Sequence, residues 1–191
     1  MVEWSVDAVR ACETVRSIVV AAPPGHVHDF GGHDLGVVAG GDTRARSVAN
    51  ALEAVGTELV AIHDAARPLL TPELFEGVVA TLVADPDAAG AIAAVPVVDT
   101  IKRAGGVSNV ISGTVDRSQL WAAQTPQVFR TAALRAALEI GGEARNSVTD
   151  EAMLVEAVGG TVLIHPATPE NLKVTTPLDL RVAELLLAAR S

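Results

Sequence analysis

A carboxylate and a guanidinium, Asp64 and Arg67, follow the apolar run Glu58-Leu59-Val60-Ala61-Ile62 in the hexapeptide His63-Asp64-Ala65-Ala66-Arg67-Pro68. An apolar run cut off by Asp, Arg and Pro reads as a strand ending in charge, and carboxyl ends of strands are where open α/β sheets bind ligands. The carboxylate suits a divalent cation or a ribose hydroxyl, and the planar Arg fork suits phosphate. A strand that simply ends in a surface ion pair fits the same residues. Lys173 sits alone in the otherwise uncharged stretch Leu172-Lys173-Val174-Thr175-Thr176-Pro177. An unpaired buried ammonium is costly, so it must reach water or an anion, and phosphate is the natural partner for a point cation. Gly40-Gly41-Asp42 precedes a helix whose first turn carries Arg44, Arg46 and Ser47. Glycines let a backbone approach a ligand, and a helix start offers free N–H donors, although such turns are common without any ligand.

Three further segments mix polar residues into apolar surroundings. Asp99-Thr100-Ile101-Lys102 and Val115-Asp116-Arg117 bracket a hairpin. Their charges serve either as solvated edge protection or as an arm that delivers Arg117 to a phosphate on another subunit. Gln124-Thr125-Pro126-Gln127 fits a substrate-facing turn or an edge strand, because Pro cannot donate to a central ladder. Thr149-Asp150-Glu151 opens a helix with acid in its first turn, which capping alone would justify. His26, His28 and His33 crowd a loop with Asp29 and Asp34, but no Cys accompanies them and a metal site is the minor reading. No local motif for Ser/His/Asp or Cys/His catalysis is present.

The elements that must hold these residues alternate. The spacing predicts a helix over 2–13, strands at 17–21, 35–38, 58–62 and 89–95, and helices over 44–55 and from Thr71-Pro72 onward. Strand–helix alternation through residue 95 implies a doubly wound, mostly parallel sheet. Val97–Arg103 and Val107–Val115, joined by Ala104-Gly105-Gly106, read as a β-hairpin arm. Helices near 131–139 and 149–158, a strand over Thr161–His165 and a helix from Pro177 to Ala189 complete the chain.

At 191 residues the chain reads as a single domain, 1–191, with 49% apolar residues, 3% aromatics and no Tyr, so Ala, Val and Leu must build the core. A formal charge of −9 argues against a nucleic-acid-coating surface, while local cations and Mg²⁺ could still hold a nucleotide. A single Cys12 excludes an internal disulfide and fits a reducing compartment. There is no run of 18 apolar residues and no signal-peptide pattern at Met1-Val2-Glu3-Trp4, so the chain reads as cytoplasmic with no membrane partner.

The segments GGDTRARSVANAL (40–52), IHDAARPLL (62–70), VPVVDTIK (95–102), TVDRSQLWAAQTPQVF (114–129), VTDEAMLVE (148–156) and NLKVTTPLDL (171–180) together resemble the 2-C-methyl-D-erythritol 4-phosphate cytidylyltransferases of non-mevalonate isoprenoid synthesis. The Ala65-Ala66 pair leans away from the related ribitol-5-phosphate enzymes. The resemblance implies a Rossmann-like three-layer α/β sandwich with a protruding β-arm at 96–117. It also implies transfer of a cytidylyl group from CTP to 2-C-methyl-D-erythritol 4-phosphate with release of pyrophosphate. By resemblance, Gly41, Asp42 and Ser47 read the cytosine. Asp64, with Ala65 beside it, holds the nucleotide or Mg²⁺, and Lys173 stabilises the transferring phosphate. Thr125 and Thr149 line the methylerythritol phosphate pocket. Arg67, Thr100 and Arg117 bind its phosphate, the last two from a partner subunit's arm, which makes a homodimer part of the site.

One departure from the family pattern is visible. The family opens with a strand and a Gly-rich loop ending in Arg, followed by a Pro-Lys pair that wraps the triphosphate, whereas Val2-Glu3-Trp4-Ser5-Val6 resembles the helix after that region. The expectation is a sheet without its first βα unit. A non-catalytic dimer, or a cytidylyltransferase for another sugar-alcohol phosphate, are the alternatives.

Overall fold

The computed structural model describes residues 1–31, 35–105, 109–141 and 148–190. In chain order the elements are α1 (Val2–Arg10), β1 (Ile18–Ala22), β2 (Leu35–Ala39), α2 (Arg44–Leu52), β3 (Leu59–Ile62), α3 (Pro72–Ala84) and β4 (Gly90–Pro96). They continue as β5 (Lys102–Gly105), β6 (Val110–Thr114), β7 (Trp121–Arg130), α4 (Thr131–Gly141), α5 (Glu151–Ala157), β8 (Val162–Pro166) and α6 (Pro177–Ala188). His33, Asp34, Gly106 and Val107 lie outside the described residues.

Helix starts follow cap chemistry. Thr43, Thr71, Asp150 and Thr176 each accept a backbone N–H from the first turn, and Thr176 forms a reciprocal capping box with Asp179. Pro72 and Pro177 occupy the first turn, where a missing N–H costs nothing.

The main sheet runs β3-β7-β4-β8. β4 and β8 are parallel, while β7 is antiparallel to both β3 and β4. Three of the four strands therefore share one direction, and β7 is the reversed one. Side chains alternate across this sheet as a period of two demands. Ile92 and Phe129 point to the face covered by Leu52 of α2, Leu134 and Leu138 of α4 and Leu154 of α5. Ala91, Ala93 and Val128 point to the other face, against Val78 and Leu82 of α3. α1 packs beside α3 through Ala8 and Val9, which lie against a cluster of Cys12, Leu70 and Phe75. These are the layers of an α/β sandwich.

β1 and β2 form a separate parallel pair. Between β1 and β3 lies a largely apolar cavity of about 930 Å³, bordered by Val19, Ala21, Val60, Ile62, Val48 and Phe75. Among the described residues no ladder joins β1 to β3. β5 and β6 make the arm, exposed along their full length.

The segment Gln124–Gln127 corrects the turn-or-edge expectation, because it lies in the middle of β7, between β3 and β4. Pro126 is tolerated there because both ladders are interrupted beside it. The β3 pairing stops at Ile62↔Gln127, and the β4 register breaks between Ile92 and Ala94. The Thr125–Pro126 peptide is cis.

Candidate active site

Asp64 is the first carboxylate beyond β3, and its N–H donates to the Thr125 hydroxyl of β7 at 3.0 Å. Its two oxygens are divided between two cations. Lys173 Nζ donates to Oδ2 at 2.8 Å, and Arg44 reaches Oδ1 through Nε and Nη2, each at 3.4 Å. Arg44 also donates Nη1 to both oxygens of Glu151 at 2.6 Å. The four charges come from the first turn of α2, the loop after β3, the N-terminus of α5 and the stretch after β8. Glu151 is fully buried, which makes its pairing with Arg44 obligatory.

Burial pushes the Asp64 carboxyl up, but the Lys173 and Arg44 contacts outweigh it and its pKa is lowered. For Glu151 burial wins over Arg44 and the pKa is raised. Burial lowers the Arg44 pKa, yet the contacts with Glu151 and Asp64 more than offset it and the guanidinium stays charged. Asp64 therefore presents a carboxylate that holds Lys173 at the mouth of the loop, and an arriving phosphate would compete for that ammonium.

A second network lies behind this one. The His63 ring bonds the Thr125 hydroxyl through Nδ1 and the Arg67 carbonyl through Nε2, both at 3.0 Å. Burial lowers the His63 pKa to about 4, so the ring is neutral near pH 7. Arg67 turns inward, with 9% of its surface exposed, and donates Nη1 to the Asn171 carbonyl at 2.7 Å. Among the described residues its Nε is buried with no hydrogen-bond partner. Asn171 ties the stretch that carries Lys173 to β7 by donating to the Gln124 side chain at 2.8 Å and to the Thr125 carbonyl at 2.9 Å. Val174 N–H donates to the Ala66 carbonyl at 2.7 Å and ties the same stretch to the loop after β3.

At the start of α2, Gly41 N–H donates to Ser47 Oγ, which donates to the Thr43 carbonyl, both at 3.0 Å. A Cβ on Gly41 would collide with the Arg46 side chain, so this turn requires glycine. Asp42 is exposed beside it. The Ala65 carbonyl accepts from Ser5 Oγ of α1 at 3.1 Å.

Asp64, Ala65, Arg67, Thr125 and Lys173 are thus brought into one place, and Arg44 links them to the Gly41–Ser47 turn. Thr149, two residues before Glu151, is exposed and donates its hydroxyl to Met153 Sδ at 3.2 Å. Thr100 and Arg117 stay apart on the base of the arm, where Thr100 is exposed and Arg117 donates to the Val98 carbonyl. Sequence reasoning missed four participants. Arg44 was visible only as a first-turn cation, Glu151 only as a first-turn acid, and His63 and Asn171 carried no signal of their own. Among the described residues no group of three or more His, Cys, Asp or Glu side chains could hold a metal ion by itself.

Comparison with known proteins decides the family. Residues 1–189 match the family described as 2-C-methyl-D-erythritol 4-phosphate cytidylyltransferase. The chain belongs to that family. It is 39% identical to the 2-C-methyl-D-erythritol 4-phosphate cytidylyltransferase of Synechocystis, with 100% of this chain and 86% of the relative covered. It is 42% identical to a bifunctional IspD/IspF enzyme of Anaeromyxobacter dehalogenans, covering 97% of this chain but only about half (49%) of that longer protein. The crystal structure of the cytidylyltransferase from Thermus thermophilus superposes with a TM-score of 0.82 at 35% identity, covering 96% of this chain and 86% of that one. Membership of this cytidylyltransferase family makes the chain a nucleotidyltransferase with an α/β Rossmann-like fold, and none of its described helices is long and apolar enough to cross a membrane.

Proposed function

We propose that the cleft around Asp64 binds CTP and 2-C-methyl-D-erythritol 4-phosphate and joins them with release of pyrophosphate. The observation that carries this reading is the Glu151–Arg44–Asp64–Lys173 chain, with contacts of 2.6, 3.4 and 2.8 Å, at the carboxyl end of a strand in a cytidylyltransferase fold. An oxygen of the substrate phosphate attacks the α-phosphorus of CTP. The new P–O bond forms as the bond to the bridging α–β oxygen breaks, and pyrophosphate leaves with the electron pair. No protein atom is consumed, so this chain contributes position and charge. Lys173, released from Asp64 by the nucleotide, neutralises charge on the transferring phosphoryl group. The Gly41–Ser47 turn offers backbone and hydroxyl partners to the cytosine, with Asp42 beside it. Arg67 holds the phosphate end of the second substrate, and Thr125 and Thr149 face its carbon chain.

A single carboxylate supplemented by substrate phosphates is how Mg²⁺ is commonly held, and Asp64 would fit that donor set through Oδ2 once Lys173 turns to the phosphate. When bound, the ion would neutralise triphosphate charge. The exposed arm, with Val98, Val110 and Ile111 uncovered, supports a homodimer in which Thr100 and Arg117 reach the partner's site. A reducing, cytoplasmic setting fits the one free cysteine.

The test is pyrophosphate release by this chain with CTP, methylerythritol phosphate and Mg²⁺, with ribitol 5-phosphate as competing acceptor. Release that needs methylerythritol phosphate supports the reading. Preference for ribitol phosphate would replace the substrate, and no release with either acceptor would refute the activity.

A further inference from the structure

We propose that His63 is a positioning residue that fixes the direction of the Thr125 hydroxyl proton, making Thr125 a hydrogen-bond acceptor toward substrate and never a donor. The polarity of the ring is set by a carbonyl. His63 Nε2 lies 3.0 Å from the Arg67 carbonyl oxygen, which can only accept, so the ring proton sits on Nε2. In the neutral ring Nδ1 then carries a lone pair. Nδ1 is 3.0 Å from Thr125 Oγ1, and only the threonine O–H can close that bond. The hydroxyl has one proton and two lone pairs, and the proton is now spent. One lone pair takes the Asp64 N–H at 3.0 Å. What remains is a single acceptor site.

An acceptor cannot bond an ionised phosphate oxygen, but it can take the O–H of a sugar alcohol. That polarity suits a substrate hydroxyl, reached from a residue that is itself buried, and leaves phosphate recognition to the cations around it. Both His63 nitrogens are committed to protein partners, so the ring acts through Thr125. The same hydroxyl accepts the Asp64 N–H through a separate lone pair, so loss of the His63 bond leaves the Asp64 backbone held. This inference rests on the proposed reading that Thr125 lines the sugar-alcohol pocket.

Two measurements separate the parts. Long-range ¹H–¹⁵N correlation of the histidine rings in the unliganded protein reads the His63 tautomer without any turnover. Nε2–H is expected, and Nδ1–H overturns the proposal. Steady-state kinetics then compare His63→Asn, which keeps an acceptor near the Nδ1 position, with His63→Phe, which keeps the bulk and removes both bonds. His63→Phe should raise KM for methylerythritol phosphate about tenfold, the worth of one well-made hydrogen bond, and leave KM for CTP within about twofold. His63→Asn should recover most of that loss. Equal rises in both KM values, or no recovery by Asn, overturn it. If His63→Phe does not fold, Thr125→Val against Thr125→Ser asks the same question, and a loss confined to Val is expected. Similar KM values in those two variants would overturn the proposal. A wild-type chain without turnover refutes the functional reading and with it the substrate-facing half of the inference, while the tautomer spectrum still decides the polarity.

Discussion

The loop after β3 and the β5–β6 arm carry proposed site residues of the same kinds, and they hold them in opposite ways. At the loop, Asp64 is gripped by side chains 20 and 109 positions away in sequence, and its Arg44 partner is gripped by Glu151, 107 positions away. On the arm, Thr100 and Arg117 touch only their own neighbourhood. Every residue of β5 and β6 is exposed, and the Lys102–Thr114 and Ser112–Arg103 bonds stay within the hairpin. In the proposed site, one half is organised by the fold of a single chain, and the other is a hydroxyl and a cation on an exposed arm, whose ligand must come to it. Preorganised charges act at full strength without reordering, whereas an exposed arm contributes only where something covers it.

Breaking the organised half should have the largest effect. Asp64→Asn keeps the shape and removes the charge shared by Arg44 and Lys173. Pyrophosphate release should fall on the order of 10³-fold, and Mg²⁺-dependent CTP binding should disappear. Retained Mg²⁺-dependent CTP binding in that variant would take Asp64 out of the nucleotide site. Next comes Glu151→Gln, which leaves Arg44 facing a neutral amide. Because Arg44 is partly exposed, the loss of stability belongs at the low end for a broken buried pair, about 3 kcal/mol, read as a lower urea midpoint with unchanged slope. An unchanged midpoint would mean that the Arg44–Glu151 contact is structurally idle.

The arm answers to a different measurement. Arg117→Ala should raise KM for methylerythritol phosphate about tenfold or more while KM for CTP and the urea midpoint stay put, since the side chain is exposed in the single chain. Equal weakening of both substrates would contradict the arm's assignment to the second substrate. Mixing Arg117→Ala with Lys173→Ala subunits sharpens the comparison further. Recovery of activity in the mixture is expected if arms cross between subunits, because one intact site is rebuilt in each heterodimer.

The smallest effect is the acid limb of stability. Asp179 is held at about 2 by the Thr175 and Thr176 hydrogen bonds, and the Lys173 and Arg44 contacts keep Asp64 lowered as well. A depressed folded pKa stabilises above the unfolded value and is lost as pH falls through the folded one. Stability should therefore decline from about pH 4 toward pH 2, less steeply in Asp179→Asn. Identical acid limbs in the two proteins would show that the capping box carries none of it.

Legibility differed between the two regions for a physical reason. The helix start at Thr71-Pro72 was readable because a cap is local: the Thr71 hydroxyl accepts an N–H three residues on. The arm was readable because a hairpin is written by neighbouring residues, although its first strand starts at Lys102 instead of Val97 and takes in Ala104 and Gly105, which were expected in the turn. β7 was not. Gln124, Thr125 and Pro126 break the pattern of a central strand, and only the interrupted ladders of β3 and β4 beside them make the placement possible. Glu151 looked like a first-turn acid, and its complete burial follows from α4, α5 and the sheet closing around it. The histidine loop shows the converse. His26 pairs with Asp29 at 2.6 Å, which is local chemistry, while His33 lies outside the described residues.

By itself the sequence determined the alternation of strands and helices, the cap at Thr71, the arm, and the presence of Asp64, Arg67, Thr125 and Lys173 as polar groups in apolar company. These follow from periodicity and from the cost of burying charge, both of which act over a few residues. Only the tertiary structure decided that Lys173 and Arg44 share Asp64, that Glu151 anchors Arg44, and that His63 turns the Thr125 hydroxyl. Those pairings depend on which strand ends meet, and strand order is set by the packing of the whole sheet rather than by any one segment.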